Sequence, residues 1–397
     1  MAIVGAGQAG LSVSRELTQR GVEHLVLDRG RLGQTWRDRW DSFCLVTPNW
    51  SVRLPGGCYD GADPDGFMPR DEIVAYLEGY AKMAGAPVRE GVDVASIDRT
   101  DVGFHLTTSD GDLRAERVVL ATGAYQRPHR PASAAGLPAG VPQLDVDGYR
   151  TPSALPDGRI LIVGAGQSGC QIAEELHEAG RDVVLSCGRA PWVARRYGDR
   201  DIVWWAERTG FFDQSVSALP DPSARLWSNP LTSGHGGGHD MHLRTLRAIG
   251  ITLVGRFAGV RDGAARFAPD LAESVAWGDR AYMQFKRMIV EAAAAQGLEC
   301  PEIPDPEPFD PAAPEELSLR GVGAVLFAGG FRPDYRSWLP WSDAFDADGF
   351  PLHREGASTV VPGLFFVGVH FLRKRKSSLL CGVGEDAEIV AETIASS

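Results

Sequence analysis

Two short segments place glycines where a phosphate chain could be held. Residues 3 to 10 read IVGAGQAG and residues 162 to 169 read IVGAGQSG, alike at seven of eight positions with an offset of 159. In each, Gly-x-Gly-x-x-Gly follows an apolar run and opens a helical pattern. Gly5 and Gly164 permit a tight turn, Gly7 and Gly166 let the backbone approach a pyrophosphate, and Gly10 and Gly169 let the helix lie close on its strand. Free N–H groups and the dipole at each helix start favour the anion, with Ser168 beside them in the second copy. One such motif is weak evidence, because glycine turns are common. Two copies in matching surroundings point to two dinucleotide sites.

The end of the strand after each helix separates the two ligands. In the first copy it carries Asp28, an acid placed to accept hydrogen bonds from a ribose diol. At the same offset the second copy has Cys187, followed by Gly188 and Arg189, with Arg195 and Arg196 just beyond. Loss of the acid and arrival of a cation suit a 2′-phosphate, hence NADPH rather than NADH. A solvated turn is the competing reading of these three arginines, and Cys187 reads as a filler of the lost-acid position.

The likeness extends into the elements that must position these groups. Glu16 matches Glu175, Leu17 matches Leu176 and Gly21 matches Gly180, and each pair leads into a second apolar strand, HLVLD or VVLSC. Two further segments resemble one another, VVLATGAYQRP at 118 to 128 and AVLFAGGFRPD at 324 to 334, and they read as the junctions of a split domain. The expected fold is α/β with two Rossmann-like dinucleotide-binding domains, the second inserted in the first. The boundaries fall at 1 to 150 plus 320 to 397 for the first domain and 151 to 319 for the second. Residues 268 to 297 have a helical rhythm, 218 to 238 read as loop, and 299 to 316, with seven acids, six prolines and no Lys or Arg, read as an extended connector.

Composition narrows the partners. The chain has 397 residues, 40 basic and 52 acidic, for a net charge of −12, which disfavours nucleic acid or an anionic membrane. No apolar run reaches the length of a membrane span, and no leader precedes the first glycine turn. Only Met1 to Val4 come before that turn, a short first strand that raises the question of an upstream start. Six scattered cysteines without a Cys-x-x-Cys pair read as reduced cytoplasmic thiols and disfavour a dithiol reductase. His235, His239 and His242 have a spacing that could suit zinc, but glycines separate the first two, and the expectation is a mobile loop and no metal. Trp204 and Trp205 read as helix packing.

These segments resemble the flavin-dependent monooxygenases with two dinucleotide domains, the group of flavin-containing monooxygenases and plant auxin-forming enzymes. The resemblance also takes in bacterial flavoproteins described as cation-efflux-associated oxidoreductases. It covers nearly the whole chain and is carried by GAGQAG at 5 to 10, GQTWRDRWDSFCLVTP at 33 to 48, RDEIVAYLEGYA at 70 to 81, LATGAY at 120 to 125, GAGQSG at 164 to 169, GFRPDY at 330 to 335 and HFLRKRKSSLLCGVGEDA at 370 to 387. It implies FAD in the first site and NADPH in the second. Trp36, Arg37 and Trp40 would lie along the flavin, and a helix start at Gly382 to Gly384 would face its ring. The implied reaction passes a hydride from NADPH to FAD, forms a flavin hydroperoxide with dioxygen, and oxygenates a small organic substrate at nitrogen, sulfur or a carbonyl. A homodimer stays open.

The sequence departs from that pattern in places. Val46 stands where many relatives carry asparagine, Asp145 where they carry histidine, and AGG at 328 to 330 replaces Ala-Thr-Gly. Val46, Asp145 and His370 are the candidate flavin or substrate neighbours. Arg373 to Lys376 are expected to meet cofactor phosphates or acidic surface. Two alternatives remain beside the monooxygenase: an NADPH oxidase or reductase that releases hydrogen peroxide or reduces a diffusible acceptor, and a non-catalytic redox-sensing flavoprotein.

Overall fold

The protein is described from a computed structural model over residues 1–396. Two parallel sheets organise it. In the first, the strands Val88–Arg89, Leu25–Leu27, Ala2–Val4, Val118–Leu120 and Leu364–Phe366 lie side by side in that order, all parallel. The short first strand is central, with Ala2 opposite Leu25 on one side and Val118 on the other. Such strands are buried on both faces, which is why they read as continuous apolar runs rather than alternating ones. Helices Gln8–Gln19 and Val383–Ala395 pack against each other beside this sheet, burying Leu11, Leu17, Val390 and Ile394. Each such side chain contributes roughly 1.5–3 kcal/mol by leaving water.

The second sheet runs Gln143–Asp145, Val322–Phe327, Arg159–Val163, Val183–Ser186 and Thr252–Val254, again all parallel. This moves both expected boundaries. The strand Val322–Phe327, expected in the first domain, pairs instead beside the second glycine-turn strand, and Gln143–Asp145 joins it from the other end. By sheet membership the inserted part runs from 143 to 327. Only beyond that strand does the chain cross, where Phe331–Arg332 pairs antiparallel with Arg127–Pro128. The two similar segments are thus equivalent strands of the two repeats as well as the two crossings.

A three-stranded antiparallel meander accompanies each sheet, 94–115 in the first and Phe257–Arg261, Ala264–Phe267 and Glu316–Ser318 in the second. The helix Leu271–Gln296 and the acidic connector are an insertion between the last two strands of the second meander. The connector is neither helix nor strand, and its carbonyls are held by Arg244, Arg247 and Tyr282. Among the described residues no helix is long and apolar enough to cross a membrane.

Candidate active site

The glycines of the first turn have different physical reasons. Gly5 has φ +109, and a Cβ there would lie 2.7 Å from the Ala121 carbonyl oxygen; one on Gly10 would lie 1.8 Å from that of Gly5. Both are required by backbone-to-backbone contact. A Cβ on Gly7 would meet nothing within 4 Å, so the space in front of helix Gln8–Gln19 is open. The second turn repeats this: Gly164 has φ +118 and its Cβ would sit 2.5 Å from Ala328 O, and that of Gly169 2.0 Å from Gly164 O. Neither helix has a side-chain cap at its start, so both leave N–H groups facing outward. Ser168 lies in the first turn of the second helix, Gln167–Glu178. The donor geometry fits two dinucleotide pyrophosphates.

Asp28 accepts hydrogen bonds from Ala6 N–H at 2.7 Å and Gly30 N–H at 2.8 Å, one on each oxygen. This fixes the carboxylate at the rim of the first turn and leaves further lone pairs for a ribose diol. At the matching place in the second sheet Cys187 is buried, its thiol pushed up to about 12 by desolvation. Arg189 follows, exposed, 4.9 Å over the Trp227 ring and without an ion pair among the described residues. It is a free cation at the position where the 2′-phosphate is expected.

Arg195 is different. Only 3% exposed, it pairs with Asp201 at 2.5 Å, donates to the Val46 carbonyl at 2.8 Å and lies 5.0 Å over Phe67. These contacts make it a brace between the inserted domain and Val46 of the first. Arg196 is exposed on the hairpin that Arg196–Tyr197 forms with Arg200–Asp201.

Other expected flavin neighbours also divide. Trp36 donates its indole N–H to Gln8 Oε1, and the Gln8 amide donates to Ser378 O at 3.1 Å. This chain joins the Gly-x-x-Trp-Arg segment, the first glycine turn and the carboxy-terminal segment. Arg37, by contrast, is held by Glu78 and the Leu32 carbonyl, bracing helix Arg70–Ala84. Trp40 is buried edge-on to Phe43 in the core cluster of the inserted domain with Tyr149.

Gly382 and Gly384 are required by protein packing. A Cβ on the first would meet the Lys376 side chain at 2.4 Å, and one on the second the Pro55 ring at 2.9 Å. The N–H groups of Gly382 and Val383 turn back to Leu379 O. The basic run meets acidic side chains, one of its two expected kinds of partner. Lys374 and Lys376 both pair with Asp213 and Glu385, and Arg373 pairs with the buried Asp386 at 3.0 Å. The two pairs with Asp213, together with Arg53–Glu207 at 2.5 Å, tie the inserted domain to the first.

Asp145 is gripped by Arg130 through both oxygens, 2.7 and 2.8 Å, which makes it a clasp on the crossing. His370 is buried, stacked on Tyr125 at 5.0 Å and edge-on to Phe350 at 4.9 Å. Desolvation pushes it down to about 4, so it is a neutral ring, and its Nδ1 has no partner among the described residues. Beside it opens a cavity of about 380 Å³ lined by Val216, Arg225, Phe350, Val369, Phe371 and Leu372. The three histidines of the loop diverge: His239 pairs with Glu174, His235 with Glu178, and His242 caps helix Leu243–Ala248.

The glutamines after the second glycines are the functional residues that sequence reasoning passed over. Gln167 repeats what Gln8 does, donating to Thr232 O at 2.7 Å. The signal was their identity in both copies.

Residues 2–203 match the family model described as pyridine nucleotide-disulphide oxidoreductase. The chain belongs to this family. Among the relatives of this chain, an uncharacterized CzcO-like oxidoreductase of Geobacillus kaustophilus is 31% identical over 99% of this chain and 97% of that protein. Indole-3-pyruvate monooxygenase YUCCA1 of rice is 31% identical over 45% of each. A flavin-containing monooxygenase from Stenotrophomonas maltophilia has the same fold, with TM-score 0.70 at 20% identity, covering all of this chain and 97% of that one. This family member is an FAD-dependent oxidoreductase that draws on a pyridine nucleotide.

Proposed function

We propose that the protein is an NADPH- and FAD-dependent monooxygenase of a small organic substrate, with FAD at the first glycine turn and NADPH at the second. The observation that carries this reading is a pair of dinucleotide cradles meeting at one crossing with no redox dithiol beside them. Cys44, Cys170, Cys187 and Cys381 are buried with thiols pushed up by desolvation, and Cys58 and Cys300 are exposed and unpaired. Unpaired cysteines also suit a cytoplasmic location. The monooxygenase names of several relatives support the same output.

Bound FAD supplies two-electron transfer from the nucleotide and activation of dioxygen. The chain supplies the rest. The two uncapped helix starts hold the pyrophosphates, Asp28 the ribose of FAD, and Arg189 the 2′-phosphate of NADPH. Neutral, buried His370 and Phe350, with half-exposed Tyr125 stacked on the histidine, form an aromatic wall, and such a wall would limit the entry of water that promotes loss of reactive oxygen species. The adjoining cavity of about 380 Å³ is within the size range of small-molecule sites and is our candidate substrate chamber.

An NADPH oxidase is the second reading, and one observation favours it. Val46 offers only its carbonyl, already taken by Arg195, while the amide of nearby Asn49 is engaged by Asp63 O and Met68 N–H. The side-chain amide of the 44–49 segment is therefore turned to backbone partners on both its nitrogen and its oxygen. The test is stoichiometric: purified protein consumes NADPH in air with candidate amines, sulfides and ketones, and product and peroxide are both measured. Product in step with NADPH supports the monooxygenase. Peroxide equal to NADPH with every substrate class establishes the oxidase.

A further inference from the structure

The segment Trp227–Thr232 has no part in the reading above, yet it runs along the second glycine turn. It is firmly anchored: Leu231 N–H donates to Pro191 O at 2.7 Å and Leu231 O accepts from Val193 N–H. Asn229 accepts from Arg375 at 3.2 Å, and Trp227 packs edge-on against Trp277. At one end Trp227 carries the Arg189 guanidinium on its face. In the middle, Ser228 Cβ lies 3.5 Å from where a Cβ on Gly166 would be. At the other end Thr232 exchanges both backbone groups with the Gln167 amide, at 2.7 and 3.4 Å, at the first residue of the turn's helix.

Two hydroxyls on this segment are anomalous. Ser228 Oγ and Thr232 Oγ1 are buried and have no hydrogen-bond partner among the described residues, and Thr232 as a whole is only 5% exposed. A buried hydroxyl without a partner is costly, so such groups mark places where a ligand completes the bonding. Both flank a helix start that presents uncapped N–H groups to an anion. We infer that Trp227–Thr232 is the outer wall of the second dinucleotide site. Ser228 and Thr232 donate their hydroxyls to the pyrophosphate, and Trp227 holds Arg189 in place for the 2′-phosphate. Arg189 is then a contact residue and Trp227 a positioning residue. The inference rests on the reading that this cradle takes NADP.

Equilibrium binding to the FAD-loaded protein tests it, with NADP⁺, NAD⁺ and adenosine 2′-monophosphate as probes. Ser228→Ala is expected to weaken NADP⁺ and NAD⁺ alike, by about tenfold, the loss of one hydrogen bond to a charged oxygen. It should leave the monophosphate, which lacks the pyrophosphate, unchanged. Trp227→Leu should do the reverse, weakening NADP⁺ and the monophosphate by about fivefold and sparing NAD⁺. Thr232→Val keeps the side-chain shape and is expected to raise the melting temperature of nucleotide-free protein while weakening NADP⁺, a split that a structural hydroxyl would not produce. If wild type binds NADP⁺ but Ser228→Ala and Thr232→Val bind it equally well, the inference is overturned and the cradle assignment stands. If wild type binds no NADP⁺, both fall. FAD content and melting temperature show whether each variant is folded.

Discussion

Trp36 and Gln8, 28 residues apart, are joined by an indole N–H to amide oxygen hydrogen bond of 3.0 Å. Because the same amide donates onward to Ser378 O, one short side chain at the first glycine turn orders two distant segments. Gln8→Leu removes both bonds at nearly constant volume. The expected outcome is a folded protein that retains FAD about tenfold less tightly, read by flavin fluorescence on dilution. Unchanged retention would show that the strap does not shape the FAD site.

Arg189 stands over Trp227 and makes no ion pair among the described residues. Arg189→Ala is expected to raise KM for NADPH by roughly tenfold and leave KM for NADH nearly unaltered, since a charge-assisted contact to the 2′-phosphate is lost. Equal effects on the two nucleotides would remove Arg189 from 2′-phosphate recognition.

The pair of Arg195 and Asp201 is buried, so removing one partner strands the other charge. Arg195→Met is expected to destabilise the fold by about 3 kcal/mol in denaturant unfolding, while the preference for NADPH over NADH is unchanged. A shift in nucleotide preference would restore Arg195 to the cofactor site.

His239 is held by Glu174 at 2.8 Å, and that hydrogen bond, with the negative field of Glu174 and Glu178, raises it above the ordinary 6.5. A raised folded value means that its contribution to stability is complete below about pH 6.5 and fades as pH rises through the folded value. The melting-temperature difference between wild type and His239→Gln should therefore be largest in mild acid and close toward alkaline pH. A gap that widens with pH would contradict the ion pair.

Val216 lines the cavity of about 380 Å³ beside His370, so a larger ring at that position would take up part of the space. Val216→Trp is expected to abolish most product formation while anaerobic reduction of FAD by NADPH continues at the wild-type rate, followed by flavin absorbance. Loss of both rates, or of neither, would place substrate elsewhere.

The glycine turns, the lost acid at Cys187 and the helix Leu271–Gln296 could be read from the chain because each depends on neighbours a few residues away. Backbone approach at Gly5 or Gly164 admits no side chain, so the need is written in the residue itself. The boundary at 319 could not be read in the same way. An apolar run such as Val322–Phe327 demands burial on both faces but does not say which sheet provides it.

The cations show the same division. Arg37, Arg189, Arg195 and Lys374 look equivalent in sequence, each a charge close to a motif. Tertiary structure sets Glu78, Asp201 and Asp213 against three of them and leaves Arg189 free. By itself the sequence determined that two dinucleotide turns exist and where their strands, turns and helices begin. Only the folded chain decided which charges are already satisfied, because an ion pair depends on distance in space, and the partners come from segments as far apart as residues 213 and 374.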